Sequence, residues 1–413
     1  MNQSEYTARR VAVIGGGAAG MMAAGTAAEY GAQVTIFEHT DRLGKKLAIT
    51  GKGRCNVTND CTVNEFLENV TKNSRFLYAA LNALPPSETI SFFENLGAKL
   101  KTERGNRVFP ENDKAKTIVD AMKKYSSSAS TVYEHISSVA VNPDGTFTVR
   151  GRSERIFDAV IIATGGKSYP LTGSDGSGYK LAMRLGHSVT ELKPSLIPIE
   201  SSSNICTKMM GLSLKNVAIK IVDGTERVLY SDFGEMMFTH FGVTGPVILS
   251  ASAHIRNEDI SNLTLCIDLK PALDEKTLDA RLLSDFKEKS NKDLINALGA
   301  LLPSKMIEAF IKVTGIDPHK KINTITKDER KTILKTLKSF KIPLSHFRPI
   351  DEAIITSGGV EVKEINPKTM ESKLIPALYF AGEIIDTDAY TGGFNLQIAF
   401  STGYIAGKNA AEF

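Results

Sequence analysis

The sequence predicts an α/β protein whose main domain is interrupted by an insertion, and three observations predict it. An N-terminal strand runs into a glycine loop, a small-residue helix and a second strand. Two more short apolar strands, each ending in glycine, stand near residues 160 and 380. Between these two lie β-rich runs and then amphipathic helices, patterned as separate modules.

The first strand is Val11-Ala-Val-Ile14, an apolar run of the buried, parallel-sheet type. Gly15-Gly16-Gly17-Ala18-Ala19-Gly20 follows and opens a helix reaching about Tyr30. The next strand, Val34–Phe37, ends at Glu38, 18 positions past Gly20. A G-x-G-x-x-G turn between strand and helix, with an acid at the end of the second strand, is a Rossmann-like dinucleotide fingerprint. Gly15 gives the tight turn, Gly17 lets a pyrophosphate approach the backbone, and Gly20 lets helix and strand pack. Ala18 and Ala19 sit at the helix N-terminus, which faces the phosphates. Glu38 accepts from a ribose 2′-OH and repels a 2′-phosphate, which favours FAD or NAD over NADP.

The later strands separate FAD from NAD, because FAD needs contacts from distant sequence. Val160–Ala163 ends in Thr164-Gly165-Gly166, which resembles the second FAD contact of two-dinucleotide-fold flavoproteins. Leu378–Ala381 ends in Gly382-Glu383, with Asp386 beyond, and resembles the Gly-Asp motif whose carboxylate holds the ribityl chain. Gly392-Gly393-Phe394-Asn395 then opens a helix towards Ala411. Amides and dipole at that helix start stabilise negative charge on a reduced flavin. FAD is the expected cofactor.

Residues 60–130 read as amphipathic helices with a polar hairpin at Lys101–Phe109. Runs such as Val217–Val222 and Leu263–Leu269 suggest a small barrel. Helical spacing follows at Leu278, Leu282, Phe286 and again at Ile333, Leu337, Phe340. The expected organisation is an FAD-binding domain over 1–188 and 349–413, a barrel-like domain over 189–270 and a helical domain over 271–348.

Composition agrees with a globular chain of two or three domains: 413 residues, 42% hydrophobic and 23% charged. It excludes a disordered, collagenous or disulfide-stapled chain. A net charge of +4 predicts neither a dominant nucleic-acid partner nor an anionic membrane. The charge is uneven, with 16 Lys/Arg against 10 Asp/Glu over Pro271–Arg348. The four cysteines hold no C-x-x-C pair and no zinc-ligand spacing, so no metal and a reduced, cytoplasmic chain are expected. The start, MNQSEYTARR, lacks a signal-peptide pattern. Val11–Ala28 is uncharged over 18 residues, but its five glycines mark a turn rather than a membrane span.

The block Lys45-Lys46-Leu-Ala-Ile-Thr50-Gly51-Lys-Gly53-Arg54-Cys55-Asn56-Val-Thr-Asn59 resembles the signature of a bacterial NAD(P)/FAD-dependent oxidoreductase family that includes aminoacetone oxidase and bile-acid-reducing flavoproteins. Pro194–Pro198, Phe238–Pro246, Thr356–Val360 and Thr369–Lys373 extend the resemblance along essentially the whole chain. It implies FAD, a discontinuous FAD domain and an inserted β-barrel with a helical module. By that likeness Lys45, Gly53, Arg54, Cys55 and Asn56 line the flavin, and the Ile136 backbone contacts adenine. Arg54 would neutralise pyrophosphate or attract an acidic substrate. The alternative for this block is a solvated basic loop.

The expected activity is an FAD-dependent oxidoreductase reaction on a small organic substrate. It is either reduction of an enone, as in a dehydro bile acid or steroid, or oxidation of a small amine such as aminoacetone. No second G-x-G-x-x-G is present, so NAD(P)H would visit as a transient reductant, or O2 would reoxidise the flavin. Cys55 and Cys61 miss the C-x4-C spacing of flavin disulfide reductases, which they otherwise resemble near the N-terminus. His240, Tyr169 and Tyr390 are the candidate substrate-side groups. His240, between Phe238 and Phe241, suits acid/base work but reads equally as a buried, satisfied histidine. Tyr390 precedes the flavin-capping glycines and would cover the isoalloxazine ring. Two other classes stand beside this one: a flavin-dependent tRNA-modifying enzyme gripping RNA through the basic helices, and a flavin-binding regulator without turnover. Phe286, Phe310, Phe340 and Phe347 have the spacing of core residues rather than stacking platforms, so no nucleic acid is expected.

Overall fold

The computed structural model describes residues 8–412. Arg10–Ile14 is the central strand of a five-stranded parallel sheet, in the spatial order Leu378–Phe380, Ala159–Ile162, Arg10–Ile14, Gln33–Glu38, Ser130–Tyr133. Val11 pairs with Ala159 on one side and Val34 on the other. The uniformly apolar run 11–14 is buried, as a strand covered on both faces requires.

The helix Ala18–Glu29 packs against the C-terminal helix Phe394–Ala411. Glycine makes the approach possible. A Cβ on Gly403 would lie 2.5 Å from the Ala19 carbonyl oxygen, and one on Gly407 would overlap that of Ala23. The loops after the strand ends all emerge on the side where the fingerprint lies, as parallel strands dictate.

The described chain forms two compact units, each with its own core: residues 8–195 with 350–412, and Leu196–Pro349. The expected boundaries at 188/189 and 348/349 shift. Val189 bridges Val360, and Lys193–Ser195 pairs antiparallel with Ile355–Ser357, which keeps 189–195 in the first unit.

The second unit is a closed barrel of six antiparallel strands with helices packed on the same core. The order is Ile199–Ser201, Gly242–Thr244, Val228–Phe238, Ser213–Val222, Thr264–Asp268, Phe340–Phe347. The expected split at 270/271 therefore runs through a single core. Leu278, Leu282, Ile333 and Leu337 from the helices join Ile219, Leu265 and Ile267 from the strands. Phe340 opens the last barrel strand rather than ending a helix, and its ring stacks on Phe310.

Candidate active site

The three fingerprint glycines do different physical work. A Cβ on Gly15 would sit 2.5 Å from the Ala163 carbonyl oxygen, and one on Gly20 would overlap the Gly15 carbonyl. Both are demanded by packing. Gly17, the helix N-cap, meets nothing within 4 Å, so open space lies beside the uncapped first turn that starts at Ala18 and Ala19. Glu38 is buried and accepts from the backbone N–H groups of Gly16 at 2.9 Å and Thr40 at 2.7 Å. Each oxygen keeps a lone pair for a ribose hydroxyl.

After the neighbouring strands come Thr164-Gly165-Gly166 and Gly382-Glu383. Gly165 and Gly382 have φ of 75° and 76°, the left-handed region glycine favours. The Glu383 carboxylate does not stand open. It accepts from Lys46 Nζ at 2.7 Å, Ser168 Oγ at 3.0 Å and the Thr356 N–H at 2.9 Å. Lys46 also donates to Ser168 at 2.7 Å. Asp386 is almost wholly buried; one carboxylate oxygen binds Lys72 Nζ at 2.6 Å, while its Oδ1 has no hydrogen-bond partner.

In the signature loop, Lys45 and Arg54 meet acidic partners. Lys45 pairs with exposed Asp41 at 3.0 Å, and it is Lys46 that reaches the strand ends. The Arg54 guanidinium is committed to Glu103 and Asp113 and lies over the Phe109 ring, 4.2 Å from its centroid. Gly53, at φ 83°, has open space where a Cβ would stand. Cys55 is fully buried, and burial pushes its thiol up to about 12. Asn56 keeps a buried Oδ1 without a partner.

At the C-terminal helix, Gly393 (φ 100°) presses on the Thr58 backbone, and Phe394 packs edge-on against Phe66. Asn395 clasps its own loop, accepting from the Ala389 N–H at 3.0 Å and donating to the Ala389 carbonyl at 2.7 Å. Tyr390 is half-buried. Tyr169 is 37% exposed with φ 54°, a backbone cost of about 1 kcal/mol or more for a non-glycine residue. Ile136 is buried just past the edge strand Ser130–Tyr133. His240 belongs to the second unit and is exposed, in the turn between Val228–Phe238 and Gly242–Thr244. The buried, satisfied histidine is excluded.

These features fit an extended dinucleotide. Asn56 Oδ1, Thr164 Oγ1, Ser174 Oγ, Asp386 Oδ1 and Thr387 Oγ1 are buried without hydrogen-bond partners, which a folded chain normally avoids unless something else supplies them. Asn56, Thr164 and Asp386 come from the motifs the sequence singled out, and Lys46 stands in the same signature block without an assigned role; Ser174, Thr387 and Ser168 do not. Lys46 lies inside the signature block and Ser168 just past the Thr-Gly-Gly turn, but spacing does not say which way a side chain turns. Among the described residues, no group of three His, Cys, Asp or Glu side chains can hold a metal ion. No helix there is long and apolar enough to cross a membrane.

Residues 9–409 match the family model described as the HI0933-like protein Rossmann domain. The chain is 28% identical over 411 residues to a 3-dehydro-bile acid delta(4,6)-reductase of Clostridium scindens, covering 98% of this chain and 99% of that protein. It is 29% identical over 405 residues to a ribosomal RNA dihydrouridine synthase of Haemophilus influenzae, covering 95% and 96%. In fold it is similar to a 3-ketosteroid delta1-dehydrogenase of Sterolibacterium denitrificans, with a TM-score of 0.53, 12% identity and coverage of 97% and 99%. With the cradle at its strand ends and a match along nearly its whole length, the chain belongs to the HI0933-like Rossmann family.

Proposed function

We propose that the chain reduces a carbon–carbon double bond conjugated to a carbonyl, with FAD as hydride carrier and NAD(P)H as the source of electrons. One observation carries this reading. The chain matches, over nearly full length, two relatives with unrelated substrates whose names share one reaction. A 3-dehydro-delta(4,6) bile acid presents an alkene in conjugation with its 3-oxo group. Dihydrouridine is uridine with the alkene beside a ring carbonyl saturated. Of the two directions the sequence leaves open, reduction is the one these names describe.

Bound FAD supplies a hydride for the β-carbon of such an acceptor. The chain's own residues bind and orient. Gly17 and the first turn of its helix take the pyrophosphate, Glu38 the adenosine ribose, and Asp386 with Thr387 the polyol. Tyr390, beside the glycines that open the last helix, is the residue we assign to hold the proton that the α-carbon needs.

A steroid-like enone is the first substrate class. A uracil base in RNA is the second, favoured by the dihydrouridine synthase match and by the local excess of 16 Lys/Arg over 10 Asp/Glu at Pro271–Arg348. The test is anaerobic. NADH or NADPH is added to the yellow protein, the loss of the 450 nm band is followed, and then an enone steroid or ribosomal RNA is supplied. Reoxidation with a saturated product identifies the substrate. A reduced flavin that no conjugated acceptor reoxidises above the buffer rate sinks the proposal and leaves the regulator reading.

A further inference from the structure

We infer that the Lys46 ammonium, held by Glu383 and Ser168, is the fixed positive charge of the flavin site, and that the Lys46–Glu383 pair sets the reduction potential of the bound flavin. This rests on the flavin reading above.

Three strand-end segments converge on this one ammonium. The Gly44 N–H donates to the Gly16 carbonyl at 2.9 Å, so the loop carrying Lys46 departs from the fingerprint itself. Ser168 lies two residues beyond Gly166. Glu383 follows Gly382, whose added Cβ would stand 2.7 Å from that of Ala19 in the fingerprint helix. The arrangement has no slack: a Cβ on Gly166 would meet Thr356 Oγ1 at 2.5 Å and Glu383 Oε1 at 2.7 Å.

Of the neighbouring cations, Lys45 pairs with Asp41 and Arg54 with Glu103 and Asp113, Lys72 pairs with Asp386 at the polyol end of the same site, and Lys167, beside Ser168, is exposed to solvent. Lys46 has three N–H donors, and Ser168 and Glu383 take two. The side chains of Lys46 and Glu383 are 22% and 12% exposed, so solvent screens their charges weakly.

Flavin reduction adds negative charge, and the FAD diphosphate already carries it. Removing the ammonium leaves the Glu383 carboxylate uncompensated, while neutralising Glu383 leaves the ammonium alone. The two changes therefore act with opposite sign on the flavin. A clamp that merely holds loops together would make both variants worse in the same direction.

The experiment is dye-equilibrated potentiometry on wild type, Lys46→Met, Lys46→Arg and Glu383→Gln, with FAD affinity measured by fluorescence. Lys46→Met is expected to lower the midpoint potential and weaken FAD binding about tenfold or more. Glu383→Gln is expected to raise the potential, and Lys46→Arg to stay near wild type. Potentials that move together, or not at all, overturn the inference. So does a drop in Lys45→Met in place of Lys46→Met. If Lys46→Met fails to fold, the sign in Glu383→Gln alone decides. A wild-type protein that holds no FAD defeats the flavin reading itself, which is a distinct result.

Discussion

At the scale of single residues, Gly17 and Gly20 separate binding from folding. Gly17 has φ −79° and ψ −167°, an extended conformation open to any L-residue, with free space around its Cβ position. Gly17→Val should leave the stability of the flavin-free protein within about 1 kcal/mol of wild type while abolishing FAD retention. Gly20→Val forces a side chain into the Gly15 carbonyl and should cost about 3 kcal/mol, read by urea unfolding without flavin. A Gly17→Val protein that stays yellow removes the fingerprint from the binding site. The thiols give a second check. Burial raises Cys55 to about 12 and, as the largest cause, Cys61 to about 11. Neither should alkylate in the native protein at pH 7.5, and both should once it is unfolded. Fixed spacing after a strand brings out Gly15, Gly17, Gly20 and Glu38, because the glycines act through the backbone and Glu38 stands at the end of the second strand, where its carboxylate meets the Gly16 N–H. Lys45 against Lys46 was undecidable, since adjacent side chains differ only in direction. Arg54 looked free because its partners, Glu103 and Asp113, are far along the chain.

At the scale of elements, the strands of the first unit were legible as unbroken apolar runs, and the barrel was legible only in part. Phe340 lies three residues past Leu337 and so continues the helical stripe Ile333, Leu337. The Lys327–Lys338 helix nevertheless stops one residue before Ser339, and Phe340, Ile342 and Leu344 alternate as buried positions of a strand. A period of 3.6 and a period of 2 overlap at that residue, and only pairing with Thr264–Asp268 decides. The start of the same helix is specified better. Thr326 and Glu329 form a reciprocal capping box, with the Glu329 carboxylate accepting from the Thr326 N–H at 2.8 Å. Thr326→Ala should destabilise the second unit by about 1 kcal/mol, measured as a shift of the urea midpoint without change in slope. An unchanged midpoint would show that the helix is held by its apolar face alone.

At the scale of the whole molecule, the insertion splits the first unit's chain in two, and a buried polar node rejoins the two parts. His187 lies just before the insertion. Its Nδ1 sits 3.0 Å from Glu364 and its Nε2 2.9 Å from Ser372, both beyond the insertion, and its ring lies edge-on to Phe380. Burial holds His187 below the ordinary histidine range, so the unfolded chain binds the extra proton first. Stability from this node is complete above about pH 6.5 and is lost as pH falls from there towards the folded-state value. His187→Gln should flatten that slope in pH-dependent unfolding; an unaltered slope assigns it to other groups.

Leu196–Pro349 is one continuous stretch with its own closed barrel and its own apolar core, shared between strands and helices. A closed barrel leaves no edge strand unpaired, and a core drawn from within the stretch needs no residue of the first unit to be complete. The excised segment should therefore fold alone and unfold cooperatively in urea, with dispersed amide resonances and no affinity for FAD. The fingerprint, the Thr-Gly-Gly turn and the Gly-Glu turn all belong to the other unit. A molten, non-cooperative 196–349 would mean that this core depends on the first unit, and FAD retention by the excised piece would relocate the cofactor altogether.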